Sequence, residues 1–205
     1  TQLLATAALA APIATASDVW LEEHAALLLV STFGFLVLSI SMTCCTHLLR
    51  QHPWNLVILC GFTLLESVSV GFICAMYEVE SVVLCLAATA AICGALTLFA
   101  CTTEVDVTSM GGYLRATSLG LFFLGLAGLF LRVPLLQAAY AFGGAVLFSG
   151  YIVYDTQLVV GGKHVSRRMS IDDYVIAALS IYMDIVQLFM FLLRLLGERR
   201  NERRQ

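Results

Sequence analysis

The sequence is a succession of long apolar stretches separated by short charged or helix-stopping segments. A membrane-spanning helix needs about 20 consecutive apolar residues, and most of these stretches reach that length. Hydrophobic residues form 60% of the chain and charged residues 12%, against roughly 45–50% and 25% in soluble domains. The sequence therefore predicts an all-α integral membrane protein, a seven-helix bundle. The predicted spans are residues 1–16, 25–49, 55–77, 82–101, 113–131, 135–160 and 174–196.

The spans form one predicted transmembrane domain, residues 1–197, followed by a basic tail, residues 198–205. A last helix that re-enters the membrane without crossing it is the main alternative. The arginines and the lysine divide almost evenly between the two sides, so the orientation stays open. The first span reaches only about 24 Å, short of the roughly 30 Å hydrocarbon core. We therefore expect a segment before Thr1 that was removed or is not represented in this sequence.

The composition excludes several classes of protein. Spans with short connections leave no room for a large soluble catalytic domain, a nucleic-acid-binding domain or a secreted disulfide scaffold. A retinal Schiff base needs a lysine within the membrane, and the only lysine, Lys163, lies in a connection. A serine protease of the membrane needs a histidine base at depth, whereas His47 lies near the end of a span. The cysteines lack metal-ligand spacing and are interpreted as small buried hydrophobes.

Three carboxylates lie within predicted spans, at Glu66, Asp155 and Asp184. An ionisable group at membrane depth costs at least about 2.5 kcal/mol on insertion scales, so each is a functional hypothesis. Polar residues share the helical face of each, such as Tyr151 one turn before Asp155 and Ser180 one turn before Asp184. Such faces point toward a bundle interior or a water-filled cavity rather than toward lipid.

Asp155 and Asp184 lie on consecutive antiparallel spans at depths that differ by about 7 Å, which is within the uncertainty of the boundaries. The two carboxyl groups can therefore share one layer of the bundle. There, a shared proton would hold the helices together, whereas two charged carboxylates would repel each other or accept Ca²⁺. This arrangement suits a pH-gated cation path. The alternative is an interhelical hydrogen bond with no further role, contributing about 0.6 kcal/mol.

Arginines close two of the spans. Arg50, at the end of the second span, is interpreted either as an anchor that reaches the membrane interface or as a counter-ion that gates the carboxylate pair. Arg194, with the arginines of the tail, is expected to anchor the last helix among anionic headgroups.

Two motifs carry a resemblance to a known family. The first motif is Tyr154-Asp155-Thr156-Gln157, followed by Gly161-Gly162-Lys163-His164 and by residues 171–189, IDDYVIAALSIYMDIVQLF. The second motif is residues 61–66, GFTLLE. Together they resemble the Bax inhibitor motif-containing family, especially its Lifeguard and Golgi anti-apoptotic branches. The resemblance runs from about residue 48 to residue 197.

The resemblance implies a seven-helix bundle whose last helix is central. It also implies a pH-sensitive Ca²⁺ leak across intracellular or plasma membranes and protection from cell death. Asp155 and Asp184 match the paired aspartates of the family and would be its pH sensor. Glu66 matches a glutamate common in the Lifeguard branch, and Arg50 falls near the arginine latch of the second helix.

The sequence thus predicts a pH-sensitive Ca²⁺ leak channel with no enzymatic activity and no cofactor, Ca²⁺ being transported or transiently bound at Asp155 and Asp184. The expected partners are membrane lipids, Ca²⁺ and H⁺, with no nucleic acid. An intracellular membrane, of the ER, Golgi or mitochondrion, is favoured over the plasma membrane. One alternative is a non-conducting accessory subunit of a larger, mitochondrial membrane complex. Another is a proton-coupled carrier, although no inverted repeat supports it.

Overall fold

The computed structural model describes residues 1–44, 53–131, 133–161 and 174–200, and these ranges are helical throughout apart from short connections. The all-α prediction is confirmed, since no β-strand occurs within the described ranges. The helices are α1 (Gln2–Ala14), α2 (Asp18–Glu23), α3 (Ala25–Cys44), α4 (Trp54–Cys74), α5 (Val79–Thr102), α6 (Gly111–Leu131), α7 (Pro134–Val160) and α8 (Tyr174–Leu196), with a 3₁₀ turn (Val107–Met110) before α6.

The predicted count of seven helices is not confirmed, because the described ranges contain eight α-helices. The additional helix is α2, six residues long and too short to cross a membrane. Its acidic residues were interpreted as a break between spans. However, the Ser17 hydroxyl accepts a hydrogen bond from the Trp20 amide at 3.3 Å, which is an N-cap. A capped helical turn therefore connects α1 to α3.

Among the described residues, four helices are long and apolar enough to cross a membrane: α4, α5, α7 and α8. Large apolar side chains also cover the outside of the protein. Leu4, Phe130 and Leu135, for example, are 77%, 84% and 79% exposed. A soluble protein would bury such side chains, whereas a lipid-facing surface requires them. The chain is an integral membrane protein, as predicted.

The contacts divide the chain into two compact units, each described here by itself. The first unit contains residues 1–80, 172–179 and 198–205. In it, α4 packs against both α1 and α3. The helices α1 and α4 pack tightly at Gly71, where a side-chain Cβ would lie 2.7 Å from Cβ of Ile13 and 3.0 Å from the carbonyl oxygen of Ala10. Only the absence of a side chain at residue 71 lets the two backbones approach so closely.

The second unit contains residues 81–171 and 180–197. Its core joins α7 and α8, with Ala145 and Ile152 packed against Leu188, Phe191 and Leu192. Apolar side chains of α5 and α6 pack around this cluster. Of the four membrane-length helices, α8 is the most buried, with 61% of its most apolar window inside the protein.

Serine and threonine hydroxyls within the helices donate hydrogen bonds to the carbonyl group one turn earlier in their own helix. Thr89 donates to Cys85 at 2.7 Å and Ser149 to Ala145 at 2.8 Å. The same pattern occurs at Thr32, Ser39, Thr102, Thr117 and Ser118. These side chains therefore need no water or partner helix to satisfy their donors.

Gly71→Ala is expected to destabilise the first unit by about 1–3 kcal/mol, because the added methyl group overlaps Ile13 and the backbone of α1. Thermal unfolding of the protein in detergent would show this as a lower midpoint temperature. Gly94→Ala is the matched control, since a Cβ at residue 94 of α5 meets no atom within 4 Å. Alanine favours the helix over glycine, so the control should be neutral or stabilising. Equal midpoints for the two variants would contradict the close α1–α4 approach.

Candidate functional site

The sequence-predicted pair Asp155 and Asp184 lies in the second unit, on α7 and α8. Asp155 is in the last two turns of α7, which ends at Gly161 with a left-handed φ of 68°. Asp184 is near the middle of α8. Both side chains are buried, at 7% and 6% exposure. The structure thus brings together two carboxyl groups that are 29 residues apart in the sequence.

The two carboxyl groups lie close enough to interact with each other, and Ser180 lies beside Asp155. Carboxylate oxygens are acceptors only, so a hydrogen bond between two carboxyl groups requires one proton between them. Asp184 Oδ2 is buried and has no hydrogen-bond partner among the described residues. The pair therefore consists of two buried carboxyl groups side by side, with one acceptor atom unused among the described residues.

Tyr151 and Ser118 lie next to the pair. The Tyr151 hydroxyl is hydrogen-bonded to Ser118 of α6 at 2.9 Å, and Tyr151 lies one turn before Asp155 on α7. Tyr151 was expected on the face of Asp155. Ser118 was not singled out from the sequence, because its hydroxyl is one of many within apolar stretches. The bond between them fixes α7 to α6 beside the carboxyl groups.

Gln157 is a buried residue of the motif to which the sequence assigned no role. Its amide nitrogen donates to the carbonyl group of Val105 at 2.9 Å, and its amide oxygen accepts from the Val107 backbone at 2.9 Å. A longer contact of 3.5 Å joins the amide nitrogen to the Ala100 carbonyl group. Gln157 therefore holds the connection between α5 and α6 against α7, two residues after Asp155.

Glu66 lies in the first unit, on α4, with only 5% of its side chain exposed. Neighbouring hydroxyls on α4 are buried with it. The Thr63 hydroxyl is hydrogen-bonded to Gln2 of α1 and to the Leu59 carbonyl group, and the Ser67 hydroxyl to the Thr63 carbonyl group. Glu66 therefore belongs to a buried polar patch in the first unit. Its role stays a prediction.

The two predicted arginine roles have different outcomes. Arg50, the predicted gating counter-ion, lies outside the described residues. Arg194 is described, near the end of α8, with its guanidinium carbon 5.8 Å from the centre of the Tyr140 ring and 5.9 Å from that of Phe191. Cation–π contacts of this kind hold a charge at the rim of an apolar core.

Within the described ranges, no group of three or more histidine, cysteine, aspartate or glutamate side chains could hold a metal ion. Asp155 and Asp184 supply two carboxyl groups, and Ser180 one hydroxyl. Ca²⁺ takes six to eight oxygen ligands, so a Ca²⁺ ion at the pair would keep most of its water. The geometry suits transient contact with a cation, and the ligand role of the pair stays a prediction.

A family model described as "Inhibitor of apoptosis-promoting Bax1" matches residues 1–201. The chain belongs to this Bax inhibitor family. It is 34% identical to mouse protein lifeguard 3 and 33% identical to the human protein, in each case over 97% of this chain and 65% of the relative. It is 33% identical to the Golgi anti-apoptotic protein of Vaccinia virus (strain Lister), over 86% of this chain and 71% of the relative. The chain thus spans slightly less than two thirds of the length of lifeguard 3. The resemblance seen in the two motifs is confirmed.

Gln157→Leu should destabilise the α5–α6 connection by about 1–3 kcal/mol, because it removes the hydrogen bonds to the Val105 carbonyl group and the Val107 amide. Hydrogen exchange measured by mass spectrometry should show faster exchange in peptides that cover residues 103–108. Gln137→Leu, on an exposed position of the same helix, is the control and should leave this exchange unchanged. Unchanged exchange in Gln157→Leu would contradict the role assigned to this amide.

Proposed function

We propose that this member of the Bax inhibitor family is a pH-sensitive Ca²⁺ leak channel in which Asp155 and Asp184 form the pH sensor and part of the ion path. The observation that carries the proposal is the proximity of these two buried carboxyl groups on two membrane-length helices. Ionisable groups at such depth are rare and mark ion or proton pathways.

In the proposed channel, protonation of the carboxyl pair and its binding of a cation are coupled. With one shared proton, the pair carries a single negative charge and holds α7 and α8 together. When the proton leaves, two negative charges face each other in apolar surroundings, so they repel or attract a hard divalent cation. Protons and Ca²⁺ therefore compete for the same oxygens, and the apparent affinity for Ca²⁺ should rise with pH.

The small number of protein oxygens at the pair favours passage of Ca²⁺ over its tight binding. An ion must bind strongly enough to enter a pathway and weakly enough to leave it. Two carboxyl groups and one hydroxyl, with water completing the shell, would bind Ca²⁺ weakly. The proposed path follows α8, which we infer to be the central helix of a seven-span bundle because it is the most buried of the membrane-length helices.

The relatives suggest the cellular setting. The family is described as an inhibitor of apoptosis-promoting Bax1, and the Vaccinia virus relative is named a Golgi anti-apoptotic protein. We propose that this protein suppresses cell death by setting the Ca²⁺ content of an intracellular membrane compartment such as the Golgi. Its partners would be lipids, Ca²⁺ and H⁺, with no cofactor and no covalent chemistry.

The proposal is tested by Ca²⁺ influx into liposomes that contain the purified protein and a Ca²⁺ dye, measured between pH 6 and pH 8. We expect a flux that depends on pH. In Asp155→Asn and Asp184→Asn the dependence should flatten or shift, and in the double variant it should disappear, because an amide neither shares a titrating proton nor carries a charge.

Glu104→Gln is the control, since it removes one exposed carboxylate outside α5 and α6 and should leave the pH profile unchanged. Absence of flux above empty liposomes at every pH, with the protein shown to be folded, would contradict a channel. Stoichiometric co-purification with a large complex in mild detergent would then favour a non-conducting accessory subunit. Flux that requires a co-substrate would favour a carrier.

A further inference from the structure

A cavity of about 450 Å³ lies just beyond the end of α4, within the first unit. This volume is in the range of small-molecule sites. The lining combines side chains of both charges with apolar ones. The lining residues are Asp18, Leu21, Glu22, Ala75, Met76, Arg199 and Arg200. None of these residues belongs to the carboxyl pair or to the buried patch around Glu66.

The acidic part of the lining comes from α2. Asp18 and Glu22 are four residues apart, so they lie on one face of this short helix. The indole of Trp20 stacks on His24, with ring centres 4.2 Å apart, and lies 6.1 Å from the ring of Phe72 on α4. These ring contacts hold α2 against the end of α4 and thereby place its two carboxylates at the cavity.

The basic part of the lining comes from the segment 198–200. Its backbone pairs with the connection after α4, since the Glu78 amide donates to the Glu198 carbonyl group at 2.9 Å and the Arg200 amide to the Met76 carbonyl group at 3.1 Å. The Arg200 guanidinium also donates to the Ala75 carbonyl group at 3.2 Å. This pairing fixes the start of the basic tail, so the two arginines are presented at a defined place.

Lipid headgroups are expected at the ends of membrane-spanning helices. The cavity adjoins the end of α4, which is long and apolar enough to cross a membrane. Exposed apolar side chains flank it, with Val19 at 66%, Met76 at 50% and Val79 at 55% exposure. Acyl chains would cover such side chains, and the charged cavity would remain beside the polar part of the lipid.

We propose that this cavity binds the zwitterionic headgroup of a phospholipid. Arg199 and Arg200 would bind the phosphate, which guanidinium groups bind with charge-assisted hydrogen bonds. Asp18 and Glu22 would bind the ammonium group of the same headgroup. An anionic headgroup would satisfy the arginines but would be repelled by the carboxylates. The mixed lining therefore selects a zwitterion.

The test is native mass spectrometry of the full chain in detergent with equal amounts of phosphatidylethanolamine and phosphatidylglycerol that carry the same acyl chains. The parent protein should bind more phosphatidylethanolamine. Asp18→Asn/Glu22→Gln should lower the ratio of bound phosphatidylethanolamine to phosphatidylglycerol by about threefold to tenfold, the effect expected of exposed ion pairs. Arg199→Gln/Arg200→Gln should reduce the binding of both lipids.

Glu23→Gln is the matched control, because Glu23 is an exposed acid on the same helix that does not line the cavity. It should leave the lipid ratio unchanged. Equal binding of the two lipids by the parent, or an equal change in ratio for the control, would overturn the proposal. Displacement of the lipid by an equal concentration of soluble phosphoethanolamine would overturn the assignment to a lipid and indicate a soluble ligand. Asp18→Asn/Glu22→Gln changes no residue of the segment 198–200, so the test does not depend on whether the arginine variant folds.

Discussion

Hydrogen bonding in the absence of water is the constraint on which the described structure depends. Helices satisfy their own backbone groups, and the hydroxyl groups within them donate to the carbonyl group one turn earlier, as at Thr89 and Ser149. An ionised carboxylate cannot be satisfied by its own helix in this way, because it only accepts hydrogen bonds. The nearby backbone groups of the helix are either carbonyl acceptors or N–H groups that are already paired. A buried carboxyl group must therefore obtain a donor from another side chain, a proton or a cation.

The carboxyl pair follows from that constraint, and its surroundings determine what a change of protonation can move. Asp155 and Asp184 are buried next to each other on α7 and α8. Around them, α7 is fixed to α6 through Tyr151 and to the α5–α6 connection through Gln157. In the proposed mechanism, loss of a proton from the pair would act directly on the contact between α7 and α8, because each of these helices carries one of the two carboxyl groups.

The sequence predicted the parts of the protein that depend on local composition. The long apolar stretches predicted the membrane-length helices. The rise per residue of an α-helix predicted that the two aspartates lie at similar depth. The short helix α2 was missed because its acidic residues look like a solvated break, although Ser17 is an N-cap signal. The role of Gln157 could not be predicted, since its partners at Val105 and Val107 lie about 50 residues away and depend on the folded connection.

The same residue types have opposite consequences at the two proposed sites because their surroundings differ. Around Asp155 and Asp184, burial makes each charge expensive, so in the proposed channel the pair would respond to a single proton and bind a cation only transiently. Asp18, Glu22, Arg199 and Arg200 instead place opposite charges on one cavity lining, which matches the two opposite charges of a zwitterion. A buried pair of carboxyl groups is suited to a change of protonation, whereas an interfacial cavity lined by acids and arginines is suited to binding a ligand with both charges. Asp18 and Glu22 are therefore expected to determine which lipid adjoins α4.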